Sequence, residues 1–293
     1  MDEQEFLAER FEQHRSRLRA VAYRLLGSLA EADDAVQETW LRITRAGTDG
    51  VENLDGWMTT IVARISLNML RSRSTRAEKP LEGTRLPDPV VTRYDEVDPE
   101  QQVLLADSVG LALLVVLDTL SPAERLAFVL HDTFGLPFDE IAPVVGRTPA
   151  ATRQLASRAR RRVRGAAPDP DADVTRQREV VDAFLAAARD GDFEGLLAVL
   201  DPDVVLRSDP GTEKPSVLVR GAATIAAGAV TYGHLARSSH AVLVNGAAGV
   251  VAVSEGRAIS LMAFTVRHGR IVAIDALSDP ERLGRLDLAA LGL

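Results

Sequence analysis

The chain has 293 residues, a formal net charge of −8 and no cysteine. This length allows about two domains with a sizeable core, and the lack of cysteine excludes disulfides, thiolate metal sites and a cysteine nucleophile. The charged N-terminus is unlike a signal peptide and no run approaches ~18 apolar residues, so we expect a cytoplasmic protein that contacts no membrane.

Apolar residues at helical spacing predict three helices within residues 1–79. The first ends at Gly27, and the second, "SLAEADDAVQETWLRITRA", begins with acids and ends with arginines, as the helix macrodipole favours. The polar loop "GTDGVENLDG" leads to the third, "GWMTTIVARISLNMLRSRSTR", which has a basic end. Residues 80–105 are predicted to form a linker, because residues 80–100 carry four prolines and show little periodicity.

Residues 106–166 are predicted to form a second helical domain that contains a tight turn. Ser121 as N-cap and Glu124 three residues later make a capping box at the start of one helix. Apolar residues of a following short helix fall on one face, and Gly146 then permits a tight turn. Thr148 caps the next helix, so the pattern predicts a helix-turn-helix.

The second helix of this motif, residues 148–164, holds six arginines and no acid. At about 100° per residue, its apolar side chains share one arc and its polar ones lie opposite. A recognition helix places its N-terminal residues at base edges in the major groove. We therefore assign Arg153, Gln154 and Ser157 to base edges. The phosphate contacts are assigned to Arg158, Arg160, Arg161 and Arg164. The alternative is a solvated basic helix end.

The Pro/Asp-rich stretch 166–174 marks a second domain boundary, beyond which the pattern changes. One helix, "REVVDAFLAAARDGDFEGLLAVL", precedes a run of strands with glycine turns. The predicted strands are "DVVLRS", "HAVLVNG", "GVVAVSEG", "AISLMAFTVRHG" and "RIVAIDAL". A helix followed by a strand-rich run predicts a separate α+β domain over residues 167–293.

The first two domains resemble the extracytoplasmic-function sigma factors of bacterial RNA polymerase. The resemblance lies in "LAEADDAVQETWLRI" and "GWMTTIVARISLNMLRSR", together with the helix-turn-helix. It implies that residues 1–79 bind the polymerase core and the promoter −10 element, and that residues 106–166 bind the −35 element as duplex. The chain would then direct promoter-specific initiation of transcription.

The same resemblance implies two sets of contact residues in the first domain. For the clamp region of the polymerase core they are Asp33, Asp34, Gln37 and Glu38, although on spacing alone such acids fit a solvated helix start. For the −10 element they are Asn53, Asp55, Arg64, Arg71 and Arg73. A captured, extruded base needs a polar pocket and a few kcal/mol of unstacking.

The linker stretch "TRLPDPVV" and the tail stretches "SDPGTEKPSV" and "LSDPERL" resemble motifs of sigma factors with a fused C-terminal SnoaL-like domain. The implied fold is two all-α sigma domains followed by an α+β SnoaL-like cone around a pocket. We expect this cone to modulate the sigma domains in cis through Asp209, Lys214, Asp279 and Pro280. We expect the cone to bind a small ligand at most. We expect it to bind no cofactor and no metal, and to catalyse no reaction.

Two other functions remain open at this point. One is a ligand-responsive, one-component DNA-binding regulator that does not need the polymerase. The other is an isomerase or cyclase with a DNA-binding relic, because relatives of the cone use a pocket Asp or His as base. The candidate bases are Asp203, Asp209, His234, His240 and Asp275, and no pair among them has a diagnostic spacing.

Overall fold

The computed structural model describes residues 3–48, 50–51, 53–75, 85–94, 110–166, 171–212 and 214–293. These residues divide into two compact units. We call the first, residues 3–75 and 116–166, the helical unit. The second, residues 85–94, 110–115 and 171–293, is the sheet unit. None of the helices in the described ranges is both long and apolar enough to cross a membrane.

The helical unit begins with three long helices. They are α1 (Glu3–Leu26), α2 (Leu29–Ala46) and α3 (Leu54–Thr75). Gly27 ends α1 with a φ of 72°, which suits glycine, and its N–H donates to Tyr23 O over 2.7 Å. The three helices pack around buried apolar side chains such as Leu25, Ile43 and Met58.

The rest of the helical unit contains shorter helices. They are α5 (Pro122–Phe128), a π-helical turn (Val129–Thr133), α6 (Phe138–Val145) and α7 (Pro149–Ala166). Helix α4 (Gly110–Asp118) precedes them, and its residues from Val116 onward belong to the helical unit. The capping box is confirmed, because Ser121 and Glu124 each bond the other's backbone N–H through the side chain. Gly146 takes a left-handed φ of 74°, and Thr148 Oγ1 accepts from Ala151 N over 3.2 Å. The predicted helix-turn-helix is therefore confirmed.

The sheet unit contains one seven-stranded sheet with the order β1-β4-β5-β6-β7-β2-β3. Its strands are β1 (Val91–Thr92), β2 (Leu200–Asp209), β3 (Val217–Arg220), β4 (Ser239–Val244), β5 (Ala247–Ser254), β6 (Arg257–Arg267) and β7 (Arg270–Leu277). All neighbours are antiparallel except β2 and β7. The helices are α8 (Val174–Asp190), α9 (Phe193–Val199), α10 (Ala222–Thr231), a 3-10 helix (Gly233–Ser238) and α11 (Pro280–Leu283).

Several features of the sheet unit differ from the sequence prediction, among them helix α10 and the 3-10 helix, which were not predicted. The predicted helix after residue 177 is two helices, because Gly191 (φ 69°) ends α8 and Asp192 caps α9 by accepting from Gly195 N over 2.9 Å. Strand β3 was not predicted. The linker is not simply extended chain between domains, because residues 85–94 belong to the sheet unit and contribute strand β1. The remainder of the predicted linker lies outside the described residues.

The two faces of the sheet are covered differently. Helices α8 and α10 pack on one face, around a core that includes Phe184, Ile225 and Phe264. Leu86, Pro87, Pro89 and Leu111 lie against the other face, where they meet Val244, Leu261, Ala263 and Leu277. Since successive side chains of a strand point in opposite directions, one strand contributes side chains to both faces of the sheet.

Candidate functional site

Helix α7 presents the segregated surface that its sequence predicted. Thr152, Ala156 and Ala159 are buried, whereas the predicted base-edge residues Arg153, Gln154 and Ser157 are exposed. The guanidinium of Arg153 lies 5.3 Å from the ring centroid of Phe138, a cation–π contact with the preceding helix. This face can therefore meet a groove without disturbing the packed side.

The arginines assigned to phosphates fall into two groups. Arg158 pairs with Glu124, and Arg160 pairs with Asp132 through Nε and Oδ1 over 2.7 Å. Arg161 and Arg164 are exposed and make no ion pair with another residue of the described ranges. Arg161 and Arg164 are thus more available for phosphate contact than Arg158 and Arg160.

Glu124 connects the first helix of the motif to α7. It accepts from Arg158 Nε and from Arg162 Nη1, each over 3.2 Å, in addition to Ser121. Burial opposes ionisation, but the hydrogen bonds from Ser121, the charge of Arg162 and the hydrogen bond from Arg158 outweigh it and lower the pKa of Glu124 below the ordinary 4.5. The carboxylate is therefore ionised at neutral pH and holds α7 in place.

The four residues predicted to bind the polymerase core lie on the outer side of α2. Asp33, Asp34 and Gln37 are exposed and Glu38 is half-buried, while the opposite side of the helix is buried. Asp33 pairs with Arg19 over 2.6 Å and Glu38 with Arg42 over 2.8 Å. The result is a polar, acid-rich strip in which Asp34 is the acid that makes no ion pair with another described residue.

The residues predicted to bind the −10 element are distributed along α3. Asn53 caps the helix by accepting from Gly56 N over 3.0 Å, and Asp55 pairs with His14 over 2.8 Å. Arg64 is exposed at mid-helix. At the far end Arg71 donates to Val145 O over 3.4 Å, and Arg73 donates to Leu26 O and pairs with Glu31. At about 1.5 Å per residue, the first and last of these are roughly 30 Å apart.

The two halves of the helical unit are joined through a buried arginine. Arg125, 3% exposed, donates from Nε and Nη2 to Arg24 O over 3.2 Å and pairs with Asp118. Helix α3 also contacts α5 and α6. A buried guanidinium must be satisfied because an unpaired charge is costly to bury, and here Arg24 O and Asp118 satisfy it.

The linker is held on the sheet unit by a buried polar cluster that we call the linker clamp. It consists of Asp209 and Arg282, which bind Leu86–Asp88, and of Asp279, which accepts a hydrogen bond from Arg282 N. Asp209 Oδ2 accepts from Leu86 N over 2.8 Å and from Arg282 Nη1 over 2.9 Å. Arg282 Nη2 donates to Leu86 O (2.8 Å) and Pro87 O (2.9 Å) and pairs with Asp88 (2.9 Å). Asp209 is 2% and Arg282 6% exposed, so water competes little for these bonds.

The linker continues from the clamp into the sheet. Val90 N donates to Asn245 Oδ1 over 3.1 Å, and Asn245 N donates back to Val90 O over 2.8 Å. Val91 then pairs with Val244, and Thr92 with Leu243. The polar groups of this linker backbone are thus taken up by the sheet unit.

Two of the four predicted regulatory residues lie in this cluster. Asp209 is a member of the clamp, and Asp279 caps α11 by accepting from Glu281 N and Arg282 N. Pro280 is the exposed first residue of α11, and Lys214 is exposed in the loop before β3. Sequence reasoning missed Arg282, although it stands inside the quoted "LSDPERL".

A cavity of about 540 Å³ lies between the sheet and helices α8 and α10. The candidate bases Asp203, Asp209, His234, His240 and Asp275 are absent from its lining residues in the described chain. Asp275 turns to the opposite face and pairs with Arg207 over 2.7 Å; burial raises the pKa of Asp275, against the effect of Arg207. The described ranges also contain no cluster of three or more metal-ligating side chains. No catalytic claim is supported.

Comparison with known proteins agrees with the arrangement of domains along the chain. The family models for Sigma-70 region 2 and Sigma-70 region 4 match residues 10–76 and 110–163. The chain is 40% identical over 290 residues to ECF RNA polymerase sigma factor SigJ of Mycobacterium tuberculosis, covering 93% of this chain and 91% of that protein. It is 35% identical over 274 residues to the probable sigma factor SigI of the same organism, covering 93% of each.

The fold is similar to the crystal structure of the same organism's SigJ. The TM-score is 0.77 at 35% identity, with 94% of this chain and 97% of that chain covered. The predicted order of two helical sigma domains and a C-terminal α+β domain is thereby confirmed. The chain belongs to the extracytoplasmic-function sigma factors, which bind the core of bacterial RNA polymerase and promoter DNA to initiate transcription.

Proposed function

We propose that this sigma factor is restrained in cis by its C-terminal domain, which holds the linker between region 2 and region 4 in the linker clamp. The observation that carries the proposal is the burial of Leu86 and Arg282 in one hydrogen-bonded cluster. The site of action is the cytoplasm, where bacterial transcription takes place.

The packed helical unit is the restrained state in this proposal. The names −10 and −35 place the two promoter elements about 25 base pairs apart, or roughly 85 Å of duplex at 3.4 Å per pair. A compact unit of roughly 120 residues has a radius of gyration of about 14 Å. Regions 2 and 4 must therefore separate before they can occupy both elements, which breaks the contact of Arg125 with Arg24 O.

Separation of the two regions requires the chain between them to extend. Residues 85–94 lie in that chain, between α3 and α4, and their backbone is bound to Asp209, Arg282 and Asn245. A linker held at these points has less length with which to span the promoter. The clamp thus opposes opening by a constraint on the chain, without a separate inhibitory protein.

Helix α7 is the proposed reader of the −35 element, with Arg153, Gln154 and Ser157 at base edges. Its exposed arginines support phosphate contacts, and Arg161 and Arg164 have no ion-pair partner elsewhere in the structure described. The acidic strip on α2 is the proposed contact for the polymerase clamp region. On α3, Arg64, Arg71 and Arg73 are the proposed strand contacts.

The C-terminal domain itself acts by binding in this proposal, not by catalysis. Support comes from the positions of the five candidate bases, two of which serve the opposite face of the sheet. An isomerase or cyclase needs a base beside its substrate. Because members of the family bind the polymerase core, the one-component regulator has no observation in its favour.

A reversible covalent lock tests the restraint directly. Val91 and Val244 are directly paired in the β1–β4 ladder, so cysteines at both positions can form a disulfide, and the chain has no other cysteine. The protein carrying Val91→Cys and Val244→Cys is oxidised, mixed with core polymerase and assayed by promoter run-off. We expect transcription at least tenfold below that of the single variant Val91→Cys, with recovery after reduction.

The opposite change weakens the clamp. Leu86→Asp places a charge at a buried linker position, and Arg282→Met removes the guanidinium; both should raise run-off transcription at least threefold. Arg285→Ala is the matched control, because Arg285 is exposed and pairs only with Glu281 in the described part of the chain. Full transcription by the locked protein, or unchanged output from both weakened variants, would show that the clamp does not restrain initiation.

A further inference from the structure

The cavity of the sheet unit is lined mainly by apolar side chains. Its walls come mostly from apolar side chains of α8, α10, β2, β6 and β7, among them Phe184, Ile225 and Met262. Charged side chains are absent from its lining within the described residues. At about 540 Å³ it is in the size range of small-molecule sites, roughly 300–1,000 Å³.

Three serine hydroxyls gather at one end of this cavity. The β6–β7 register pairs Leu261 with Leu277, which brings Ser260 opposite Ser278, and Ser208 lies beside Ala276 in the next row. All three serines line the cavity. Their hydroxyls have no hydrogen-bond partner among the residues that the structure describes. They are therefore available to a molecule that enters.

Several large side chains of the cavity lining are exposed. Val217 is 50%, Tyr232 64% and Ile259 37% exposed, and all three are lining residues. Large apolar side chains grouped at the edge of a concave site mark a place where an apolar molecule enters or covers them.

We propose that this cavity binds an uncharged, mainly hydrophobic small molecule with a hydroxyl or carbonyl group at one end. The apolar walls take its body, and Ser208, Ser260 and Ser278 hydrogen-bond its polar end. A charged ligand does not fit, because the lining offers no counter-charge and burial of an unpaired charge is costly.

The serine end of the cavity adjoins the linker clamp. Ser208 precedes Asp209 in β2, and Ser278 precedes Asp279; Ser278 N donates to Asp209 O over 2.9 Å. In each of these two pairs, the serine side chain lines the cavity and the aspartate side chain belongs to the linker clamp. This part of the inference rests on the proposed function: an intact clamp fixes the serines, so a bound ligand favours the clamped state.

The test uses prodan, a neutral naphthalene ketone whose emission shifts to the blue in apolar surroundings. We expect saturable binding to the full chain, and at least tenfold weaker binding of the analogue that carries a carboxylate in place of the ketone. Ala276→Phe and, from the helix side, Ala229→Phe fill the cavity and should weaken prodan binding at least tenfold. Ala241→Phe is the control, because Ala241 is exposed on β4; circular dichroism checks folding.

The serine end and the coupling have their own readouts. The variant with Ser208→Ala and Ser278→Ala should bind prodan at least threefold more weakly. Leu86→Asp should have the same effect, because a ligand that favours the clamped state must bind more weakly when the clamp is disrupted. Absent binding, equal binding of the carboxylate analogue, or binding unaffected by both cavity-filling variants would overturn the site. Unchanged affinity in Leu86→Asp would overturn the coupling alone. Failure of the disulfide lock to affect transcription would refute the cis restraint and leave the prodan result standing.

Discussion

Glu124 lies 3.2 Å from the guanidinium of Arg158, and this ion pair connects the first helix of region 4 to the helix that is proposed to read DNA. Only 8% of the Glu124 side chain is exposed, against 51% for Arg158. Because the same carboxylate also accepts from Ser121 and Arg162, one residue closes the capping box and orients two arginines. One buried carboxylate therefore links the start of the first helix to two arginines of the second.

Replacing that charge should lower the stability of region 4. We expect Glu124→Gln to reduce the free energy of unfolding by about 1–2 kcal/mol, since hydrogen bonds to a charged group are lost at a buried position. Urea unfolding followed by circular dichroism measures the change. Glu140→Gln is the control, because Glu140 is exposed on α6 and should change stability by less than about 0.5 kcal/mol. Equal effects of the two variants would contradict this role.

The pKa of Glu124 predicts a pH dependence with a definite sign. Its pKa is below 4.5 in the folded protein, so the unfolded chain binds the proton first as the pH falls. The stabilisation is complete above the unfolded pKa and is lost as the pH drops from about 4.5 through the folded pKa. Glu124→Gln should therefore differ from the unchanged protein most at neutral pH and least below the folded pKa of Glu124. A difference that grows with acidity would refute the assignment.

The division of α7 between bases and phosphates predicts two kinds of DNA-binding defect. Arg153→Ala should cost about 1–3 kcal/mol and relax the preference at one −35 base. Arg161→Ala should weaken binding to all sequences alike. It should also reduce the slope of log affinity against log salt concentration by about 1, because one phosphate contact is lost. Binding of the polymerase holoenzyme to promoter variants across a salt series measures both.

The two arginine variants serve as controls for each other, because both remove the same side chain from the same exposed surface. Arg158→Ala adds a third comparison: Arg158 is paired with Glu124, so its loss should also lower stability. If Arg153→Ala and Arg161→Ala weaken binding equally on every sequence, the assignment of Arg153 to a base edge is wrong.

Local sequence signals predicted the helical unit well. A capping box, a left-handed glycine and a periodic apolar face each act within a few residues, so Ser121, Gly146 and the α7 face could be identified without the fold. The same reasoning placed five strands in the C-terminal domain by alternation and glycine turns. These signals need no information from distant parts of the chain.

The sequence could not show what the linker binds. Leu86 and Asp209 are 123 positions apart, and Leu86 and Arg282 are 196 apart, so their contacts follow from the completed fold. The prolines near residue 86 indicated only an extended chain. Asp275 illustrates the same limit: residue type suggested a pocket base, but strand register turns its carboxyl toward Arg207 on the face away from the cavity.

Gly211 offers a test of the clamp that removes none of its polar groups. It has a φ of 91°, its N–H donates to Asp209 Oδ1 over 3.0 Å, and an added Cβ would lie 2.8 Å from the Asp279 carboxyl carbon. Gly211→Ala should therefore displace Asp279, weaken the clamp and raise run-off transcription, while lowering the melting temperature. Gly256→Ala is the matched control, since Gly256 has a φ of 71° with open space around it and adds only the strain of a left-handed alanine, about 1–2 kcal/mol. If both variants lose the same stability and neither changes transcription, the contact between Gly211 and Asp279 has no part in holding the linker.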